Sequence, residues 1–209
     1  MVSKKERMRL ILGLMKEHYG SMEEQKGAND PFRTLIATIL SQRTRDQNSN
    51  RAATNLLKDA KGPVDVLRIP RDEICNRIRC SRFYNQKARS IIAVCETLLD
   101  RFGGEVPGER SLLMNLPGVG PKTADIVLSH AFGRPAIAVD THVLTVAKRL
   151  GLVGGQAPPS EAKKTLEGLV DPELYRYVDE AFVTHGKEYC RSRNPRCVEC
   201  FLRSICIRD

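Results

Sequence analysis

The sequence predicts an all-α fold. Three observations carry that prediction: apolar residues recur at a helical period in almost every segment, no stretch alternates over the length of a strand, and the connections are short and rich in Gly and Pro. Ala136-Ile137-Ala138-Val139 comes nearest to a strand, and it is short.

Taken in order, Met8, Leu10, Ile11, Leu12, Leu14 and Met15 supply the apolar face of a first helix. Asp30-Pro31 reads as an N-cap followed by proline at the first helical position, opening a helix over 32–40. Ala52, Ala53, Leu56 and Leu57 keep the same period. Further helices fit 74–79, 86–101, a short segment anchored by Leu112, Leu113 and Leu116, then 123–132, 141–150, 160–169 and 172–185. Gly133-Arg134-Pro135 is a candidate domain crossing, and a second lies between Tyr19 and Gly27. Periodicity does not tell which half of the chain the first helix packs with.

With 209 residues the chain can build one large core or two small ones. Its 34 Lys and Arg against 25 Asp and Glu leave a net charge of +9, which favours polyanionic partners because basic side chains at phosphates release condensed counterions. Charge alone does not establish a nucleic-acid partner. The apolar run Leu10–Met15 closes at Lys16 and Glu17, and no small-residue cleavage site follows. An intracellular protein with no membrane span is therefore expected.

The most informative stretch is Leu116-Pro117-Gly118-Val119-Gly120-Pro121-Lys122-Thr123-Ala124-Asp125. Gly118 and Gly120 permit backbone angles closed to other residues, Val119 can plug a core between them, and Pro121 is pre-set for a first helical turn. Such a turn places N–H groups at a helix start, where a DNA phosphate fits. A plain helical hairpin would look the same. Lys122 adds chemistry. At a helix start the positive end of the dipole disfavours an ammonium, a disfavour that partial burial would increase, and the neutral amine can attack a sugar carbon and form a Schiff base. Downstream, Val139-Asp140-Thr141-His142 offers a carboxylate that could hold positive charge developing on a sugar ring. Capping of the following helix would explain Asp140 equally well.

Seven cysteines are present, and Cys190, Cys197, Cys200 and Cys206 crowd into the last stretch with spacings of six, two and five intervening residues. In a reducing compartment such crowding points to metal, and four thiolates suit zinc and iron–sulfur clusters alike. Earlier in the chain, Ser41-Gln42-Arg43-Thr44-Arg45-Asp46 is unusually polar directly after an apolar helix, which suits a segment facing a DNA groove.

Leu116–Lys122, followed by Val139–His142 and the terminal cysteines in that order, resembles the endonuclease III family of helix-hairpin-helix DNA glycosylases. The similarity runs from about Phe32 to Cys206. It implies two helical domains with the active-site cleft between them. The first is a six-helix domain over 25–134 that carries the hairpin. The second is formed by 1–24 and 135–209 and carries a four-iron, four-sulfur cluster on the four cysteines. It implies a DNA glycosylase with lyase activity in which Lys122 is the nucleophile and Asp140 assists base release, acting as a monomer on duplex DNA that holds damaged pyrimidines or abasic sites. The cluster would pin a loop whose Arg191, Arg193 and Arg196 can bind phosphates, together with Gly118, Val119 and Gly120 of the hairpin. Gln42 or Arg43 would fill the space of an expelled base. Ser41, Asp46 and His142 would line its pocket, and Phe83, in Arg82–Lys87, would wedge into the opposite strand.

Two rivals remain at this level. Adenine-mismatch members of the superfamily carry an acid where Thr38 stands here, and thymine-mismatch members typically have tyrosine at the position of Lys122. A non-catalytic helix-hairpin-helix module would bind DNA with no need for both Lys122 and Asp140.

Overall fold

The computed structural model describes residues 3–20 and 29–207, and the description is confined to them. The domain crossing expected between Tyr19 and Gly27 falls mostly on residues 21–28, outside the described residues. The chain divides into two compact units, one formed by Gly27–Arg134 and the other by Met1–Lys26 together with Pro135–Asp209. Eleven α-helices and three short 3-10 turns, with no strand, account for the regular structure among the described residues.

The first helix, α1 (Lys4–Tyr19), belongs to the second of these units and is opened by Ser3 and Glu6, which bond each other's backbone N–H reciprocally. Met8, Ile11, Leu12 and Met15 form its buried stripe, spaced as one helical face requires. Leu10 falls off that stripe and is 50% exposed, so it does not belong to the expected apolar face. The stripe shares a core with residues of α9 (Thr141–Arg149), α10 (Pro159–Glu167) and α11 (Tyr175–Glu188), among them Val143, Val146, Ala162, Val178 and Phe182. A 3-10 turn over Pro172–Leu174 precedes α11, which starts later and ends later than its apolar pattern indicated. The segment 136–139 is buried without pairing as a strand. The backbone of Ile137 is bonded by side chains instead: its N–H donates to Glu167 Oε1 at 3.1 Å, and Lys163 Nζ donates to its carbonyl at 3.2 Å.

The Gly27–Arg134 unit is built around α2 (Pro31–Ser41), with Asp30 accepting from Arg33 N–H as its N-cap. Leu35, Ile36, Ile39 and Leu40 are all fully buried. The helix packs on α3 (Asp46–Leu57), α6 (Tyr84–Phe102) and α8 (Pro121–Ala131), which is why its sequence is apolar nearly all round. With α4 (Pro63–Leu67), α5 (Arg71–Arg77) and α7 (Arg110–Met114), seven helices stand where six were expected. The addition is α4, a single turn opened by Pro63 and too short for a period to register. No helix among the described residues is long and apolar enough to cross a membrane.

Candidate functional site

The hairpin joins α7 to α8. Gly118 sits at φ +77°, and a Cβ there would lie 3.2 Å from the Ser90 hydroxyl, so glycine is required. Gly120 is different: at φ −96°, ψ 179° its backbone is open to any residue, and a Cβ would meet nothing within 4 Å. The expectation that both glycines are conformationally forced is thus corrected for Gly120, whose value is an uncrowded N-cap. No side chain caps α8, which leaves its first turn open at that end. Val119 plugs the core as expected, but its N–H donates to the Leu116 carbonyl at 3.1 Å. Buried and bonded, Val119 supports the hairpin. Asp125, 3% exposed, is held by Arg110 across α7 and α8 at 2.8 Å, an ion pair that fixes the two helices of the hairpin.

Gln42, Arg43, Phe83 and Gly118 line one cavity of about 350 Å³ together with Ile39, Gln86, Lys87 and Ser90. Four residues singled out for DNA contact therefore meet in space. Gln42 is tied to the hairpin, its Nε2 donating to the Gly118 carbonyl at 3.0 Å and the Thr123 hydroxyl at 3.3 Å. Arg43 (φ 52°) and Phe83 (φ 59°) both adopt left-handed backbone, a conformation costing roughly 1–2 kcal/mol for a residue with a Cβ. Phe83 is 46% exposed, with the Arg82 guanidinium 4.9 Å from its ring centre, so it is not a core residue. Ser41 and Asp46 flank the same turn; the Ser41 hydroxyl donates back to the Thr38 carbonyl at 2.8 Å, while Asp46 is exposed at the start of α3. Thr38, buried, donates to the Thr34 carbonyl within α2.

Sequence reasoning missed the residue that organises these turns. Lys87 Nζ is buried and donates to the carbonyls of Leu40 (2.6 Å) and Gln42 (2.7 Å) and to the hydroxyls of Thr44 (2.8 Å) and Ser81 (2.8 Å). Burial pushes its amine down to about 8. Lysine at a helix start reads as solvated surface, and nothing in its local pattern signals burial.

Lys122 is exposed on the first turn of α8. In the other unit, Asp140 is the N-cap of α9, its Oδ1 accepting from the N–H groups of His142 (2.8 Å) and Val143 (2.9 Å). The capping role that the sequence allows for Asp140 is therefore present in the structure. His142 lies against Gly186 of α11, where a Cβ would fall 2.7 Å from the His142 Cβ. The Cβ of His142 is fixed to the α9 backbone and cannot swing away. Gly186→Ala is therefore expected to displace the first turn of α9 and cost about 1–3 kcal/mol of stability, checked by thermal unfolding; an alanine variant as stable as the native protein overturns this reading.

Cys190, Cys197, Cys200 and Cys206 line a single cavity of about 420 Å³, with Arg149, His185 and Tyr189 among its walls. Arg149 holds its rim, NH1 donating to the carbonyls of Cys190 (3.0 Å) and Arg191 (2.8 Å) and to Cys190 Sγ (3.3 Å). Burial pushes the Cys200 thiol up, and Cys190, Cys206 and Cys197 add to that shift as near neighbours. His185 is buried against Cys200, with Sγ and Nε2 3.6 Å apart, and desolvation lowers it to about 4. Among the described residues no group of three or more His, Cys, Asp or Glu is spaced to hold a single metal ion. Arg191 and Arg193 are exposed on the loop, and Arg196 is paired with Glu199.

Residues 36–172 match the profile of the HhH-GPD superfamily base excision DNA repair proteins. Endonuclease III of Thermotoga maritima is 40% identical over 177 residues, which cover 85% of this chain and 83% of that protein. Endonuclease III of Escherichia coli K12 is 35% identical over 196 residues, covering 94% and 92%. Among solved structures, a trapped endonuclease III–DNA covalent intermediate, an estranged-adenine complex, matches with a TM-score of 0.90 at 36% identity over 99% of this chain and 97% of that one. A thermostable thymine-DNA glycosylase shares the fold, with a TM-score of 0.86 at 23% identity over 99% and 98%.

Proposed function

This chain belongs to the endonuclease III family within the HhH-GPD superfamily of base excision DNA repair proteins, and we propose from that premise that it excises oxidised or otherwise damaged pyrimidines from duplex DNA and then cuts the strand. The protein is a bifunctional DNA glycosylase and abasic-site lyase. The observation that carries the assignment of roles is Lys122, presented to solvent on the first turn of a helix that follows the Gly118 turn.

Having given up a proton, the Lys122 amine attacks C1′ of the damaged nucleotide, and the C1′–N bond breaks as the base leaves with the bonding electrons. The Asp140 carboxylate offsets positive charge on the sugar during that step. Ring opening gives a Schiff base between Nζ and C1′. Loss of a proton from C2′ then expels the 3′ phosphate by β-elimination, and water releases the enzyme. The backbone N–H groups of the open first turn of α8 and of the glycine turn at Gly118–Gly120 hold a backbone phosphate, with Arg191 and Arg193 at further phosphates. Gln42 or Arg43 fills the space of the expelled base, Phe83 wedges the opposite strand, and Ser41, Asp46 and His142 line the base pocket.

We assign a four-iron, four-sulfur cluster to Cys190, Cys197, Cys200 and Cys206. The single cavity lined by all four cysteines supports this. The group would bind four thiolates, offset part of their charge and pin the arginine loop. Action on DNA supports a location in cytoplasm and nucleoid. Purified protein is expected to be brown and to cleave duplex DNA at thymine glycol, with borohydride trapping it on the strand. Cleavage confined to G·T mismatches would overturn the lesion assignment, and colourless active protein would overturn the cluster.

A further inference from the structure

We propose that Lys87 is a positioning residue that locks the two DNA-facing turns into one register, so that Arg43 and Phe83 act on the duplex as a single rigid pair. The inference rests on the glycosylase reading above, because it concerns how that site handles a paired base.

Two turns carry the exposed side chains. One follows α2 and holds Arg43; the other precedes α6 and holds Phe83. Each places a residue with a Cβ at positive φ, and these are two of the three such non-glycine residues among those described. Isolated turns would relax out of that conformation, so something must over-determine both. Lys87 reaches each of them. Its ammonium donates to the Gln42 carbonyl, one peptide before Arg43, and to the Thr44 hydroxyl just after it. It also donates to the Ser81 hydroxyl, two residues before Phe83. The two hydroxyls contact each other at 3.2 Å, and Arg82 N–H donates to Thr44 Oγ1 at 3.2 Å. The Ser81 hydroxyl further donates to the Leu40 carbonyl at 3.0 Å. The network therefore bridges the turns directly and anchors both to the buried end of α2. Lys87 itself sits on the first turn of α6, so the element that carries Phe83 also supplies the clamp. A buried charge serving four acceptors is costly to assemble and rigid once complete.

Register matters only where a base must leave a stack. An abasic site in single-stranded DNA needs neither a wedge nor a space-filling side chain. The test compares single-turnover rates for thymine-glycol duplex and for an abasic site in a single strand, using Lys87→Met, which keeps the chain length and removes the donors. Borohydride trapping on the single strand counts active molecules. Duplex excision is expected to fall about ten- to a hundredfold per active molecule, the scale of a small misplacement, with single-strand cleavage within about twofold of the native rate. In an Arg43→Ala/Phe83→Ala background, Lys87→Met is expected to add no further loss. Should Lys87→Met fail to fold, Thr44→Val/Ser81→Ala removes the bridging hydroxyls and is expected to show the same selective loss. Equal losses on both substrates, or an undiminished effect without Arg43 and Phe83, would overturn the positioning role. A native protein inactive on both substrates would instead sink the glycosylase reading itself.

Discussion

Lys122→Gln is expected to abolish borohydride trapping and to lower strand cleavage by at least about a thousandfold, the loss expected on removing the proposed covalent nucleophile. Glutamine keeps a polar chain of similar length but cannot form an imine. Because Lys122 is exposed, the substitution is expected to leave thermal stability within about 0.5 kcal/mol. Binding to undamaged duplex falls only modestly, since the open turn of α8 and the loop arginines remain. Trapping, binding and unfolding measured on one preparation separate these effects. Covalent adduct on the glutamine variant would show that another amine is the nucleophile.

Asp140 calls for a pair of variants, because the structure gives it a structural duty that could disguise a chemical one. Asp140→Asn retains an oxygen able to accept from His142 and Val143 N–H, and asparagine caps helices as well as aspartate. Only the charge is lost. Excision by this variant is expected to fall about a hundredfold or more at unchanged stability, the range seen when one electrostatic group is removed from a reacting centre. Asp140→Ala is expected to fall as far in excision and to lose a further 1 kcal/mol or so of stability. Full activity in the asparagine variant, with loss only in alanine, would reduce Asp140 to a cap.

The fold was readable where burial followed a period. Asp30-Pro31 announced α2 because cap and proline chemistry are local, and the all-α class followed from long periodic runs. Short elements escaped, as α4 did, since one turn carries no repeat. Leu10 was misplaced because a run of apolar residues hides which of them faces inward. For the site, cysteine spacing and the hairpin motif were visible because their chemistry is local in sequence. Lys87 and Arg149 were not. Their meaning lies in carbonyls and hydroxyls brought from distant parts of the chain, and a lysine or arginine viewed alone looks like solubility. Gly186 was invisible for the same reason, its neighbour being 44 positions away in the sequence at His142.

The burial of α2 bears on how the enzyme tells a lesion from a normal pair. The turn that carries Arg43 grows out of a helix whose Leu35, Ile36, Ile39 and Leu40 have no contact with water. Amides of such a helix are expected to exchange with solvent only when the whole unit opens, which makes α2 the least yielding mount available. When protein and duplex press on each other, the softer body deforms. Here that is the DNA, and its compliance varies from step to step, being greatest where damage has weakened stacking. On the contact proposed for Arg43, an unyielding probe would turn mechanical weakness in the helix into selectivity before any atom of the damaged base is touched.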